Sequence, residues 1–388
     1  MFLKNLRISN LLSFGPDALE LPLQPLNILI GANGSGKSNL LEAISLLQSA
    51  PKDLGKPVRD AGGIEEWLWK PGGRDAIASI EAIVEYSQKN MPIRHSLSFR
   101  NSGNYFDFIE ERIENRDPDL GHDDSYFYYR FKDGRALLND NEENRRELRR
   151  ETIHPEESIL SQRKDIDHYP EITWLGESYQ SMRIYREWSI GRFTAPRLFQ
   201  DSTSRSSGLN EDYANLGLVL KRLKKDYDTR NKISSYLNKF NGDIRDFDID
   251  IDGSGKIQIY LVEKHSTIPA TRLSDGTLRF ISLLAILCNP SPPPLICIEE
   301  PEMALHPDII PTIADLLTDA SQRTQLIVTT HSDILIDAFT ETPEAVIVCD
   351  KSDMQTYMRR LNQDDLKQWI DEYRLGEAWL NNMVGGHS

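Results

Sequence analysis

Cysteine is the scarcest side chain in this sequence. Its three thiols, Cys288, Cys297 and Cys349, lie far apart in apolar segments and form no Cys-x-x-Cys pair. That argues against a disulfide framework or a zinc ribbon and points to a reducing compartment, the cytoplasm. Long apolar runs are missing too. The most apolar window, Leu278 to Cys288, is broken by Arg279 and Ser282, well short of the roughly 18 residues a membrane span needs. The start, Met1-Phe2-Leu3-Lys4-Asn5-Leu6-Arg7, lacks the apolar core of a secretory leader, so no membrane partner is expected. Positive charge is in deficit: 45 Lys and Arg against 60 Asp and Glu give a net charge of −15. Such a surface repels a phosphate backbone, so contact with DNA needs a local basic patch. Two stretches qualify: Arg145, Arg146, Arg149 and Arg150, then Lys221, Arg222, Lys224, Lys225, Arg230 and Lys232. For both the plain alternative is a solvated helix face. Internal repeats and long heptad runs are absent as well, which removes solenoids and extended coiled coils.

What is present is an alternation of strand and helix patterns. Leu6 and Ile8, a turn near Gly15-Pro16-Asp17, and then Leu26-Asn27-Ile28-Leu29-Ile30 read as a pair of strands followed by a buried one. Asn39 to Ser49 has helical spacing. Residues 77–86 and 93–99 look like strands, and Tyr105-Phe106 and Tyr126 to Phe131 suggest more. From Asn139 to about Gln200 the pattern weakens into a partly helical insertion. Residues 211–240 read as one or two amphipathic helices, and Phe247 to Leu261 as a hairpin around Asp252-Gly253-Ser254-Gly255.

Between the buried strand and the first helix stands Gly31-Ala32-Asn33-Gly34-Ser35-Gly36-Lys37-Ser38, a full match to G-x-x-x-x-G-K-[ST]. Glycines let the backbone wrap closely, so that successive N–H groups face a phosphate. The following helix adds the positive end of its dipole. Asn33 to Asn39 are therefore the ATP-binding candidates. Lys37 would reach the β- and γ-phosphates, and the Ser38 hydroxyl would ligate Mg²⁺. A second apolar strand, Leu295-Ile296-Cys297-Ile298, ends in Glu299-Glu300. Paired acids at such a strand end suit a metal site and a general base for water, here Glu299 and Glu300 respectively. Glu299 stands where Asp is usual, so its longer side chain would reach the metal through a bound water or from a slightly retracted strand. Ser274-Asp275-Gly276 opens an apolar helix 25 residues before Glu299 and forms a second anion-binding turn. Leu326-Ile327-Val328-Thr329-Thr330 ends at His331, placed to hydrogen-bond the γ-phosphate.

These four segments, with Glu302-Met303-Ala304-Leu305-His306-Pro307, resemble the ABC-type heads of the RecF, SMC and OLD ATPases. Leu273-Ser274-Asp275-Gly276-Thr277-Leu278-Arg279-Phe280 is closer to the small RecF-like members than to a transporter signature. The resemblance is specific over residues 1–50 and 265–340. It implies an α/β fold, an ABC-type P-loop ATPase head of mixed sheet with an antiparallel β-subdomain, plus an inserted, mainly helical lobe. The expected division is a discontinuous head, 1–100 and 265–388, around a lobe at 101–264. It also implies ATP and Mg²⁺ as cofactors and a head-to-tail homodimer. Ser274, Asp275 and Gly276 of one protomer would cap the γ-phosphate held by Lys37 of the other, with Pro301 to Pro307 crossing the interface. The family's Q-loop glutamine has no clear counterpart, Gln162 being the candidate. Fewer than 60 residues follow His331, so an intrinsic Toprim nuclease is not expected, and a separately encoded nuclease or effector is the partner implied. Lys221, Arg222, Lys224 and Lys225 are the candidate DNA contacts. Two alternatives stay open: a nucleotide-dependent protein-interaction switch with little hydrolysis, and a transporter cassette, for which the stretch between Lys37 and Ser274 is too long.

Overall fold

The computed structural model describes residues 2–386 apart from 74, 90, 104, 141–144, 149–156, 203–207, 252 and 367–372. The chain separates into two compact units. The first comprises residues 1–182, 347–361 and 382–388, the second residues 183–346 and 362–381.

The first unit carries an eight-stranded antiparallel sheet. Its strands, in spatial order, are Leu19–Pro22, Leu3–Ser9, Ala78–Val84, Ile93–Ser102, Tyr105–Asn115, Phe127–Lys132, Arg135–Asn139 and Arg145–Leu148. Alternate residues are buried along Ile93–Ser102, as expected of a sheet with one covered face. The rings of the aromatic-rich segments meet both along one strand and across to its neighbours. Phe99, Phe106, Phe108 and Phe131 follow one another at centroid spacings of 4.8, 6.5 and 5.9 Å. The strand Leu26–Ile30 is buried at all five positions, which explains its lack of alternation. It feeds the helix Lys37–Ser49, whose Leu40, Leu41, Ile44 and Leu47 are buried. The helix Pro170–Ser181 packs against it, and Gln48 Nε2 donates to Met182 O at 2.9 Å. The hairpin of Val346–Ser352 and Gln355–Arg360 begins within the second unit at Val346 and otherwise belongs here.

In the second unit three strands run parallel side by side: Arg183–Tyr185, Leu295–Glu299 and Gln325–Thr329. Tyr185 lies opposite Ile298, and Glu299 opposite Thr329, so all three chains leave the sheet at one edge. Every residue from Leu278 to Leu287 in the helix Asp275–Leu287 is buried, including Arg279 and Ser282. That apolar run is therefore a core helix, as its hydrophobicity on every side requires. The amphipathic stretch resolves into two helices, Leu216–Lys225 and Tyr227–Phe240. They divide at Asp226, whose carboxylate caps the second by accepting from Thr229 N at 2.8 Å. The expected hairpin is present as Ile244–Ile251 paired with Lys256–Glu263; Asp252 lies outside the described residues. Among the described residues no helix is long and apolar enough to cross a membrane.

Candidate nucleotide site

The phosphate loop lies wholly in the first unit, and its shape is enforced by backbone. Gly31 turns with φ 151°, and a Cβ there would sit 2.3 Å from the Cys349 carbonyl oxygen. Gly36 adopts φ 102°, and its Cβ would meet Thr356 Oγ1 at 2.2 Å. Neither position accepts a side chain without displacing its neighbour. Gly36 is also the N-cap of the helix Lys37–Ser49 and supplies no side-chain cap. A helix start without a side-chain cap is where an anion is favoured. Lys37 is buried, and its Nζ donates to the Gly31 and Ala32 carbonyls at 2.7 and 2.9 Å. The ammonium is folded back over the loop whose phosphate it would serve. Ser35 Oγ is buried with no hydrogen-bond partner, an orphan that fits a ligand oxygen. Asn33 and Gly34 are exposed, and Ser38 and Asn39 half-buried.

Two residues absent from the motif brace the loop. Thr356 Oγ1 donates to Ser35 O at 2.9 Å and lies 2.7 Å from Ser13 Oγ. Ser13 Oγ in turn accepts from Asn39 Nδ2 at 2.7 Å. Ser13 and Thr356 come from opposite ends of the sequence, so no local pattern announces them. Gln162 donates to Glu157 O and Ser158 O around its own helical turn, at 2.9 and 3.4 Å.

The acids, the histidine and the signature lie in the second unit. Glu299 closes its strand, and its Oε2 is 3.2 Å from Arg186 Nε. Trp188 Nε1 donates to Glu299 O at 2.9 Å. Glu300 follows with φ 46°, a left-handed conformation that costs a non-glycine residue about 1–3 kcal/mol and is concentrated at functional sites. Its Oε1 is 3.6 Å from His331 Nε2, within ion-pair range but longer than a hydrogen bond. Glu302 is buried. Its Oε1 accepts from Thr330 Oγ1 at 2.5 Å and His331 N at 3.1 Å, while Oε2 has no partner. Burial pushes its carboxyl above the usual range, against those hydrogen bonds, which pull it down. Glu302 thereby holds the backbone that presents His331.

Ser274 and Asp275 are exposed. Ser274 caps the signature helix, its Oγ accepting from Thr277 N at 3.1 Å. A Cβ on Gly276 would stand 2.8 Å from the Ala304 carbonyl oxygen, and Ala304 itself has φ 61°. The glycine is required because the segment after Glu300 passes directly over it. The structure therefore brings Glu300 to His331, and Gly276 to the loop between Pro301 and Pro307.

A family model described as "AAA domain, putative AbiEii toxin, Type IV TA system" matches residues 26–337, most of the chain. The chain belongs to that AAA-domain family. Solved structures add the fold. This AAA-family chain is similar to an SMC head bound to the C-terminal winged-helix domain of ScpA, with 13% identity and a TM-score of 0.60. The match covers 94% of this chain and 99% of that one. An SMC head with an extended coiled coil, bound to the C-terminal domain of ScpA and described as derived from Pyrococcus furiosus, matches with a TM-score of 0.59. It shares 13% identity over 96% of this chain and 99% of that one. An SMC head with coiled coil and joint from Pyrococcus yayanosii gives 0.51, again at 13% identity and with the same two coverages. No curated protein matches the sequence. The fold is thus the ABC-type P-loop ATPase head that the motifs imply, of the SMC and RecF kind, and family and fold together are those of a nucleotide-dependent ATPase.

The basic stretch is less open than its sequence suggests. Lys224 Nζ donates to Phe247 O at 2.9 Å and Asp248 Oδ1 at 2.6 Å. Arg230 pairs with Asp246, and Lys232 with Asp319 at 2.6 Å. Arg222 and Lys225 are exposed and Lys221 half-buried. Arg145 and Arg146 fall in the edge strand of the antiparallel sheet, and Arg149 and Arg150 lie outside the described residues.

Proposed function

We propose that this AAA-family chain is a Mg²⁺-dependent ATPase that closes head to tail as a homodimer on ATP and gates a separately encoded partner. The work it serves is DNA maintenance or antiviral defence, and a nuclease is the partner that fits. The observation that carries the reading is the prebuilt phosphate loop, with Lys37 Nζ donating to the Gly31 and Ala32 carbonyls and Ser35 Oγ unsatisfied. Asn33 to Asn39 cradle the triphosphate, and Lys37 leaves its carbonyls for phosphate oxygens, a stronger charge-assisted bond. Ser38 Oγ, with Glu299 acting through a water, would hold Mg²⁺, which would supply charge to offset that of the phosphates. Glu300 accepts the proton of the attacking water, and His331 stabilises the γ-phosphate. Ser274, Asp275 and Gly276 act on the partner protomer's ATP. DNA contact, where it occurs, rests on Lys221, Arg222 and Lys225, with Lys224 contributing only by leaving Asp248.

A switch that binds ATP with little turnover is the second reading, favoured by the Arg186 guanidinium already paired with Glu299. Glu300→Gln separates the two. On the ATPase reading the variant keeps ATP binding, loses hydrolysis and accumulates as a dimer with MgATP, because the amide cannot take the water's proton. Light scattering and phosphate release measure this. A variant that hydrolyses ATP like the parent, or stays monomeric with MgATP bound, overturns the proposal.

A further inference from the structure

The segment leaving the strand Arg183–Tyr185 touches both functional ends of the second unit. Because that strand lies parallel beside Leu295–Glu299, the residues after it emerge next to Glu299. Arg186 pairs with the Glu299 carboxylate and Trp188 with its carbonyl. The Trp188 indole also lies under the guanidinium of Arg279, 4.5 Å from the ring centroid, and Arg279 sits one turn into the signature helix. Nine residues further on, Arg197 is 6% exposed. Its Nε donates to Ile190 O at 3.0 Å, Nη1 to Leu273 O and to Ala270 O (3.4 Å), and Nη2 to Asp275 Oδ1. Burying a charge costs several kcal/mol unless it is paired and hydrogen-bonded in good geometry. Here the two Nη groups of the planar fork are directed at Ala270, Leu273 and Asp275, which flank Ser274, while Nε holds Ile190 of the segment itself.

We infer that Arg197 is a positioning residue for the signature loop, and that residues 186–197 form a strap by which the Glu299 strand end sets Ser274 to Gly276. One end of the strap holds the acidic strand through Arg186 and Trp188. The other holds the carbonyl of Leu273 and the carboxylate of Asp275 on either side of Ser274. The inference rests on the proposed trans-acting signature. No phosphate-loop residue takes part in these contacts, so the strap governs turnover and leaves ATP binding untouched.

The test uses full-length Arg197→Ala, with Arg197→Lys as a milder variant that keeps the charge but not the fork. Both should bind a fluorescent ATP analogue as the parent does. Turnover should fall roughly a hundredfold in the alanine variant, the cost of a misplacement of about 1 Å, and less in the lysine variant. Mixed with Lys37→Ala protein, the Arg197→Ala protomer should regain activity, because its own ATP then faces an intact signature. Ser274→Arg mixed with Lys37→Ala is the control. If the control recovers and the Arg197→Ala mixture does not, the positioning role is overturned while the dimer reading stands. If neither recovers, the trans-acting signature and the inference fall together. Parental turnover in both Arg197 variants also overturns it.

Discussion

The phosphate loop and the acidic strand end present two ways of building a functional edge. The loop is made of backbone: glycine torsions, carbonyls around Lys37, and a helix start that no side chain caps. The acidic edge is made of side chains that arrive from distant segments and hold one another, Glu299 with Arg186, Glu300 near His331, and Glu302 with Thr330. A backbone device keeps its shape whichever ligand is present. A side-chain device depends on its partners and is open to re-pairing.

The sharpest break in that comparison is Lys37→Ala. The backbone should persist while ATP binding is lost, with affinity down at least roughly a hundredfold, since hydrogen bonds to charged groups contribute about 1.5–3 kcal/mol each. Unchanged affinity in a titration would remove the loop from the ATP site. His331→Ala comes next, with turnover reduced roughly a hundredfold and ATP affinity kept. Equal losses in kcat and in binding would instead place His331 in ground-state recognition. Gly36→Ala should weaken ATP binding about tenfold and lower Tm, through its left-handed torsion and the contact with Thr356 Oγ1. Pairing it with Thr356→Ala removes the Thr356 contact but leaves the torsion and Ser13 Oγ 2.9 Å from the new Cβ, and Thr356→Ala alone measures the loss of its bond to Ser35 O. Recovery of the double variant to the level of Thr356→Ala alone would assign the Gly36→Ala effect to packing against Thr356.

The smallest effect belongs to Glu302→Gln, and it depends on pH. Burial raises the Glu302 carboxyl above its unfolded value, so the folded state binds the proton more tightly. The cost of holding it ionised grows as pH rises from the ordinary carboxylate range through the raised value. The amide carries no such cost, so the variant should gain stability relative to the parent on going from pH 4 to pH 8. Parallel stability curves across that range would show that the hydrogen bonds from Thr330 and His331 already compensate the charge.

Legibility in the sequence followed the same divide. Residues 31–38 could be assigned from eight consecutive letters because a backbone device is local in the chain. The strands ending at Glu299 and Thr329 were equally plain, since buried parallel strands read as short apolar runs. Ser13 and Thr356 carried no signal, being one hydroxyl each at opposite ends of the chain. Arg186 and Arg197 sat in a stretch whose pattern had weakened, where charge reads as solvent exposure although Arg197 is buried. The run from Lys221 to Lys232 misled in the opposite sense. Its cations looked like a surface for phosphate, and the aspartates that pair Lys224, Arg230 and Lys232 lie 24, 16 and 87 residues away.

All three cysteines are buried, and burial pushes Cys288 and Cys349 up to about 12 and Cys297 higher still. Thiolate is the reactive form, so the folded chain is nearly silent towards maleimides and iodoacetamide at neutral pH. A single cysteine placed at an exposed site such as Ser274 or Asn33 can therefore carry a fluorophore, spin label or cross-linker without first stripping the native thiols. The same silence makes alkylation of the native three a clock for global opening, readable by mass alone.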